Sequence, residues 1–505
     1  MQQVMLALDQ GTSSSRALLF NQQGQVLAEA QQELNCQYPH QGWVEQDAEH
    51  IWLSVLKVCR DVLKQAQQQQ LQVVGIGISN QRETTVAWHK STGEVLAPAI
   101  VWQDRRTAAY CAELTAQGHA ALVRQKTGLE LDPYFSASKI HWLLQNQQTV
   151  AEAAAAGALC VGTIDSFLVW RLTGGTVHAT DSSNASRTML FNIHSLQWDQ
   201  ELLSLFQVPA NCLPQVKQSA DFYGLCAETI FGHAIPVLAL AGDQQAAAIG
   251  QGCVSAGSLK STYGTGCFAL LNTGEQPLYS SNNLLTTVAC TVQGQTLYAL
   301  EGAIFVAGAA VKWLRDQLGV IQCASETETL AAGLLDNGGV YLVPAFTGLA
   351  APHWRADVRA AVLGMTFGTG KAQLARAALE AVVYQTVDLL AAMQADGARI
   401  TALKVDGGMV VNNWFCQYLA DLLNLPVLRP ATTESSAYGV ALLAGISYGW
   451  YPDLAATAKR SDTVQRLDTA QRLDTVQRFE PRMDDAERAA LLKGWHQAVA
   501  QVLAC

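Results

Sequence analysis

The chain has 505 residues, half of them hydrophobic and only 15% charged, with a formal net charge of −10. That apolar fraction excludes a disordered chain, the acidic balance argues against a nucleic-acid partner, and the length suggests two or three domains. The twelve cysteines are scattered, with no CxxC pair and no histidine at zinc spacing. No basic leader opens the chain, and no apolar run approaches the ~18 residues of a membrane span, so the expectation is a reduced, cytoplasmic enzyme without membrane insertion.

The opening segment sets the architecture. Val4–Leu8 is an apolar run ending at Asp9, followed by the turn-forming Gln10–Ser14. Arg16–Phe20 is a second run, Asn21–Gly24 a turn, and Gln25–Ala30 a weaker third strand. Asp47 reads as an N-cap, with Ile51, Val55, Val58, Cys59 and Val62 at helical spacing behind it. Beyond the Gln-rich stretch 65–72, Val73–Ser79 has the pattern of a buried strand. Three strands, a helix and a strand predict a mixed sheet with an antiparallel hairpin at its front, as in ribonuclease-H-like domains.

The second half repeats this opening weakly. Ser258–Leu271 reads as strand, a Gly264-Thr265-Gly266 turn, and strand, with a further turn at Asn272–Gly274. Aligning Gly264-Thr265 on Gly11-Thr12 implies two related α/β domains around a central cleft, 1–251 and 252–505, with the boundary near Gly250–Ser255. Lys371–Ala395 is predicted to be a long helix. Leu403–Val405 leads into Asp406-Gly407-Gly408, and Asn412–Asn424 reads as another helix. Three near-identical hexapeptides begin at Asp462, Asp468 and Asp474. A period of six fits no helical repeat, and the expectation is an expanded surface loop.

Two glycine motifs are set aside. After Gly75-Ile76-Gly77, Asn80 stands where a dinucleotide fingerprint needs its third glycine. Gly368-Thr369-Gly370-Lys371 lacks the first glycine and the hydroxyl residue of a Walker loop. Asp9–Arg16 is a stronger signal. A tight glycine turn between strands directs N–H groups and hydroxyls into one concavity able to cradle phosphate. A carboxylate at the strand end can hold Mg²⁺ or its waters, and an arginine can face phosphate oxygens. Paired with Gly264-Thr265-Gly266, it suggests two phosphate loops on one nucleotide. Polar clusters also follow strands at Asn80–Thr84, which carries Arg82 and Glu83, and at Gly242-Asp243-Gln244. Arg82 and Glu83 read equally well as a polyol grip or as a surface ion pair. Gly407-Gly408 with Asn412 would let a flat base approach closely.

Through these motifs and several others the chain resembles the FGGY carbohydrate kinase family, and within it the members that act on glycerol. The further stretches are Gly42–Asp47, Val101–Arg106, Pro133–Lys139, Thr180–Phe191, Ser261–Phe268, Tyr298–Arg315, Val343–Pro352 and Val405–Asn413. The resemblance implies two actin-like ATPase domains, ATP with Mg²⁺, and transfer of a phosphoryl group to glycerol, giving sn-glycerol 3-phosphate as the first step of glycerol utilisation. It also implies a homo-oligomer, dimer or tetramer. It assigns Asp243 as catalytic base, and Arg82, Glu83, Tyr134, Asp243 and Gln244 as glycerol contacts with Trp102 and Phe268 as apolar walls. Thr12, Ser13, Ser14, Arg16, Thr265, Gly308, Lys312, Gly408 and Asn412 match nucleotide positions, and Asp9 the Mg²⁺-associated carboxylate. Lys312 stands where the family commonly has Gln, and Ser13 where it has Thr.

Overall fold

Val4, Met5, Leu6, Ala7 and Leu8 have no exposed surface, as befits a strand covered on both faces. They form the middle of β1 (Gln2–Gln10), in a computed structural model that describes residues 1–504 apart from 347, 350–352, 354, 356, 431–433 and 460–475. β2 (Ser14–Asn21) and β3 (Val26–Glu33) continue antiparallel from β1, and β4 (Leu71–Asn80) pairs with it in parallel. β5 (Ala220–Leu225) and β6 (Pro236–Gly242) complete a six-stranded sheet of order β3-β2-β1-β4-β6-β5. Between β3 and β4 runs α1 (Ala48–Gln68), capped by Asp47, whose carboxylate accepts from the N–H groups of Glu49 and His50.

The second sheet is built from β7 (Leu259–Tyr263), β8 (Cys267–Gly274), β9 (Leu285–Val292), β10 (Gln295–Ile304), β11 (Leu403–Asp406), β12 (Val427–Arg429) and β13 (Gln477–Phe479). Its order is β9-β10-β8-β7-β11-β12-β13. From β10 to β13 every neighbouring pair has the same relative direction as its counterpart from β3 to β5 in the first sheet. The weak sequence repeat therefore reflects a duplicated sheet, with β9 added at one edge and the last two strands exchanged in chain order.

Two local expectations change. The turn placed at Asn272–Gly274 is the end of β8, because Gly274 still pairs with Tyr298 across an irregularity in the ladder. Of the hexapeptide region, 460–475 lies outside the described residues. The last residues of the third repeat are not loop but the edge strand β13, with Phe479 buried against the core.

The helices that bear on the site are α2 (Asp243–Gly250), α3 (Gly308–Asp316), α5 (Asn413–Leu423) and α6 (Ser435–Tyr448), with the long α4 (Lys371–Ala395) packed in the second half. Although α6 lies far along the chain, it packs on the first sheet, against β1, β4 and β6, and on α2. Its Ala437, Tyr438, Val440 and Ala441 share a core with Met5, Ala7, Leu18 and Phe20. The α2–α6 crossing is backbone-close. A Cβ on Gly439 would lie 1.8 Å from the Ala246 carbonyl oxygen, and one on Gly250 would lie 2.1 Å from that of Ser435. Among the described residues no helix is long and apolar enough to cross a membrane.

Candidate active site

β1, β4 and β6 run parallel, and their carboxyl ends deliver Asp9, the Arg82-Glu83 pair and Asp243 to one place. This is the edge at which α/β sheets bind ligands. Asp243 is the first residue of α2. Its Oδ1 accepts from the Gln244 N–H at 2.7 Å and lies 3.4 Å from Arg82 Nε. Oδ2 has no partner among the described residues, and the side chain keeps 31% of its surface open. Burial raises the Asp243 carboxyl above the usual range, against the pull of Arg82 and Lys260.

Arg82 and Glu83 are not a surface ion pair. They are 3% and 1% exposed and belong to a four-membered charge cluster with Arg187 and Glu301. Arg82 donates to Glu301 through Nη1 at 2.5 Å and Nη2 at 3.2 Å, and reaches the Tyr134 hydroxyl at 3.4 Å. Arg187 donates from Nε to Glu83 Oε1 at 2.6 Å and from Nη2 to Glu301 Oε1 at 2.8 Å. Burial by itself would raise the Glu301 carboxyl, but Arg187 and Arg82 outweigh it and hold the group at about 2. The contacts of Glu83 with both arginines go to Oε1, and Oε2 has no partner among the described residues. The Glu83 backbone sits at φ +60°, a strained setting for a non-glycine residue. Its carbonyl accepts from Ser136 Oγ at 3.0 Å, Thr85 Oγ1 at 3.1 Å and the buried Lys139 Nζ at 3.4 Å.

Three aromatic rings lie together beside this cluster. The Trp102 ring meets Tyr134 and Phe268 edge-on, with centroids 5.7 and 6.0 Å apart, and Phe268 comes from β8 of the second sheet. Gln244 Oε1 accepts from the buried Lys260 at 2.5 Å, which leaves the Gln244 amide N–H groups free to donate. The pocket thus offers two open carboxylate oxygens, a phenol and an amide, backed by aromatic rings. That is the donor–acceptor set a small polyol requires.

The second sheet brings Thr265, Gly308 and Gly408 together. Gly308, at the start of α3, packs so closely on the Gly264 carbonyl that a Cβ would lie 2.6 Å from its oxygen. The Thr265 carbonyl accepts from the N–H groups of Ala307 and Ala309. Gly407 has φ +94° and lies against the Tyr263 backbone, whereas a Cβ on Gly408 would meet nothing within 4 Å. The room beside Gly408 suits a flat ring. Lys312 is exposed, one turn into α3. Asn412 caps α5: its Oδ1 accepts from the Phe415 N–H at 2.9 Å, and its amide donates to Thr327 at 3.4 Å.

The β1–β2 turn has more internal structure than its sequence suggests. Ser13 is exposed, Ser14 accepts from the Gly11 N–H through its carbonyl at 2.9 Å, and Thr12 Oγ1 accepts from the Trp102 indole at 2.9 Å. Arg16, opposite Asp9 in the ladder, binds both carboxylate oxygens of Glu434 at 2.8 Å through Nη1. Burial, with Asp243 and Glu434 as like charges, raises Asp9 to about 7 although Ser79 and Arg16 oppose the shift.

Arg187, Glu301, Lys260 and Glu434 were not singled out by sequence. Glu301 carried a signal: it is a lone carboxylate inside the apolar strand β10, opposite Leu270 and Leu285.

A duplicated sheet with paired glycine turns and a carboxylate at the head of a helix defines a kinase-type cleft. Family models agree: residues 4–250 match the N-terminal domain, and 259–448 the C-terminal domain, of the FGGY family of carbohydrate kinases. The chain belongs to that family. It is 56% identical to a glycerol kinase of Rhodospirillum centenum over 98% of this chain and 97% of the relative. It is 53% identical to a glycerol kinase of Ectopseudomonas mendocina over 99% of both chains. Among solved structures it is similar to Plasmodium falciparum glycerol kinase with ADP. There the TM-score is 0.91 at 33% identity, over 99% of this chain and 98% of that one.

Proposed function

We propose that this chain transfers the γ-phosphoryl group of ATP to a terminal hydroxyl of glycerol, giving sn-glycerol 3-phosphate and ADP. The observation that carries the reading is the open Oδ2 of Asp243, at the head of α2 in a pocket whose other free groups suit a triol. Glu83 Oε2 and Gln244 bind and orient the hydroxyls, the Tyr134 phenol adds a donor, and Trp102 and Phe268 cover the carbon backbone. Asp243 accepts the proton of the attacking hydroxyl as that oxygen approaches phosphorus in line. Positioning and charge neutralisation supply most of the rate enhancement, and no covalent enzyme intermediate is required.

The nucleotide is read as lying across the two glycine turns, with Thr12, Ser13, Ser14 and Arg16 on the phosphates of one side and Thr265, Gly308, Lys312, Gly408 and Asn412 on the other. Asp9, crowded by Asp243 and Glu434, suits a hard divalent cation. No group of three acidic, histidine or cysteine ligands forms a closed metal site among the described residues, which fits Mg²⁺ that keeps waters and phosphate oxygens as ligands. When bound, Mg²⁺ neutralises phosphate charge. The reading carries with it two functional domains, 1–251 and 252–505, in a cytoplasmic dimer or tetramer.

The test is ADP release measured with and without glycerol, and with a pentulose in its place. Glycerol-dependent release is expected. Release that ignores glycerol, or that follows the pentulose, would overturn the assignment.

A further inference from the structure

Beside the polyol pocket, two guanidinium groups and two carboxylates are packed without solvent: Arg82, Glu83, Arg187 and Glu301 are all at most 3% exposed. Three come from the first half of the chain, and Glu301 reaches in from β10 of the second sheet. Burying such a cluster is a poor way to gain stability, since desolvation offsets most of the attraction. Its geometry suggests another use. Arg82 touches two groups of the pocket itself, Asp243 at 3.4 Å and the Tyr134 hydroxyl at 3.4 Å. Its distal nitrogens are held by Glu301, at 2.5 and 3.2 Å. Arg187 is tied to the same carboxylate at 2.8 Å and reaches only one oxygen of Glu83. Its Cζ stands 5.5 Å from the Tyr134 ring centroid and 5.1 Å from that of Phe135.

Without Glu301, Arg82 would keep the Asp243 and Glu83 carboxylates at 3.4 and 3.9 Å and the neutral Gln245 Oε1 at 3.3 Å, and Arg187 would keep Glu83 at 2.6 Å. The carboxylates left to the two cations would then be those whose second oxygens a polyol needs, and a shift of either guanidinium would draw on them. We propose that Glu301 is a positioning residue for substrate recognition: it draws both arginines toward the second sheet and so keeps Glu83 Oε2 and Asp243 Oδ2 open to substrate hydroxyls. The competent polyol pocket is thereby completed by a carboxylate from the opposite half. This deepens the glycerol reading and rests on it for the identity of the polyol.

The test uses the full-length protein, with glycerol and ATP affinities measured separately by calorimetry and turnover by ADP release. Glu301→Gln should weaken glycerol binding by about tenfold or more, as expected for a lost charged hydrogen-bond pair, and leave ATP affinity within about threefold. Glu301→Asp, which keeps the charge on a shorter arm, should recover part of that loss. A purely structural role would lower thermal stability without separating the two affinities. Because Glu301→Gln leaves an unbalanced buried charge that can prevent folding, Arg187→Met/Glu301→Gln serves as a second variant that keeps the cluster neutral. It should still bind glycerol weakly. Glycerol affinity within about twofold of wild type in either Gln-bearing variant, or no recovery in Glu301→Asp, overturns the proposal. If the wild-type chain turns over a different polyol, glycerol falls and the same series is read with that polyol. A wild-type chain that binds no polyol overturns both readings.

Discussion

Asp243→Asn tests the chemistry most directly, because the structure separates the two oxygens of this carboxylate. Oδ1 is structural: it accepts the Gln244 N–H at 2.7 Å, opening α2, and faces Arg82 Nε at 3.4 Å. An asparagine oxygen can keep both contacts. Arg82 also retains its bidentate hold on Glu301, so removing one negative charge does not leave it unpaired. What the variant loses is the proton acceptor at Oδ2. Glycerol binding should therefore stay within about threefold of wild type, while kcat falls by about 10²- to 10⁴-fold, the usual worth of a general base. The assay pairs steady-state ADP release at saturating glycerol and ATP with calorimetric titration of glycerol. A kcat within about tenfold of wild type, with glycerol binding intact, would remove Asp243 as the base. A matched collapse of binding and turnover would mean that Oδ1 and Oδ2 were wrongly divided between structure and chemistry.

Glu83→Ala removes an open acceptor and leaves Arg187 Nε unpaired, so the glycerol KM should rise at least about tenfold with the ATP KM little changed; equal effects on both would point to a structural ion pair. Glu434→Gln loosens the clamp on Arg16, and the ATP KM should fall, whereas Arg16→Ala should raise it; parallel changes in the two variants would show that Arg16 does not serve the nucleotide. Asp165, buried against Thr163 and Thr180 at 2.5 and 2.6 Å, is raised by burial to about 7. Its protonated form is favoured by folding, so its contribution to stability is full below the unfolded carboxyl range and is lost as pH rises through about 7. The stability of wild type relative to Asp165→Asn, from urea titrations, should thus fall by about 1 kcal/mol per pH unit between about pH 5 and 7, and a flat difference would refute the shift. Small-angle scattering should report a more compact particle with glycerol and a non-hydrolysable nucleotide together than with neither, and an unchanged profile would count against substrate-driven closure.

The elements were legible where one local pattern decided them. Lys371–Ala395 emerges as a helix over the expected span because its broad apolar face runs unbroken. Asp47 caps α1 because a carboxylate before a helical run meets free N–H groups. The hairpin turns were visible as glycines between strands, and the duplication as a faint echo of one turn. What the sequence hides is pairing over long separations. Arg82 and Glu301 are 219 residues apart, and Arg16 and Glu434 are 418 apart, so no local spacing announces either contact. Asn412 shows a second kind of ambiguity. A residue type suited to binding a ligand also caps helices, and here its carbonyl oxygen is engaged by Phe415. The edge strand β13 escaped for a related reason: a repeat with no helical period gives no hint that its last residues will find a partner in Val427–Arg429.

The glycine crossing of α2 and α6 bears on how the cleft can work. Because α6 is seated on the first sheet, the two halves are stitched together at more than one point of the chain, and they are unable simply to hinge apart at a linker. The contact where Gly439 and Gly250 let the two backbones touch offers a pivot for opening. Asp243 stands at the other end of α2, eight residues from first to last, or roughly 10 Å from that fulcrum at ~1.5 Å per residue. The base thus has a short lever arm. A rotation that swings the outer glycine turns widely displaces the reacting carboxylate little, so the chemistry keeps its aim while the rim does the travelling.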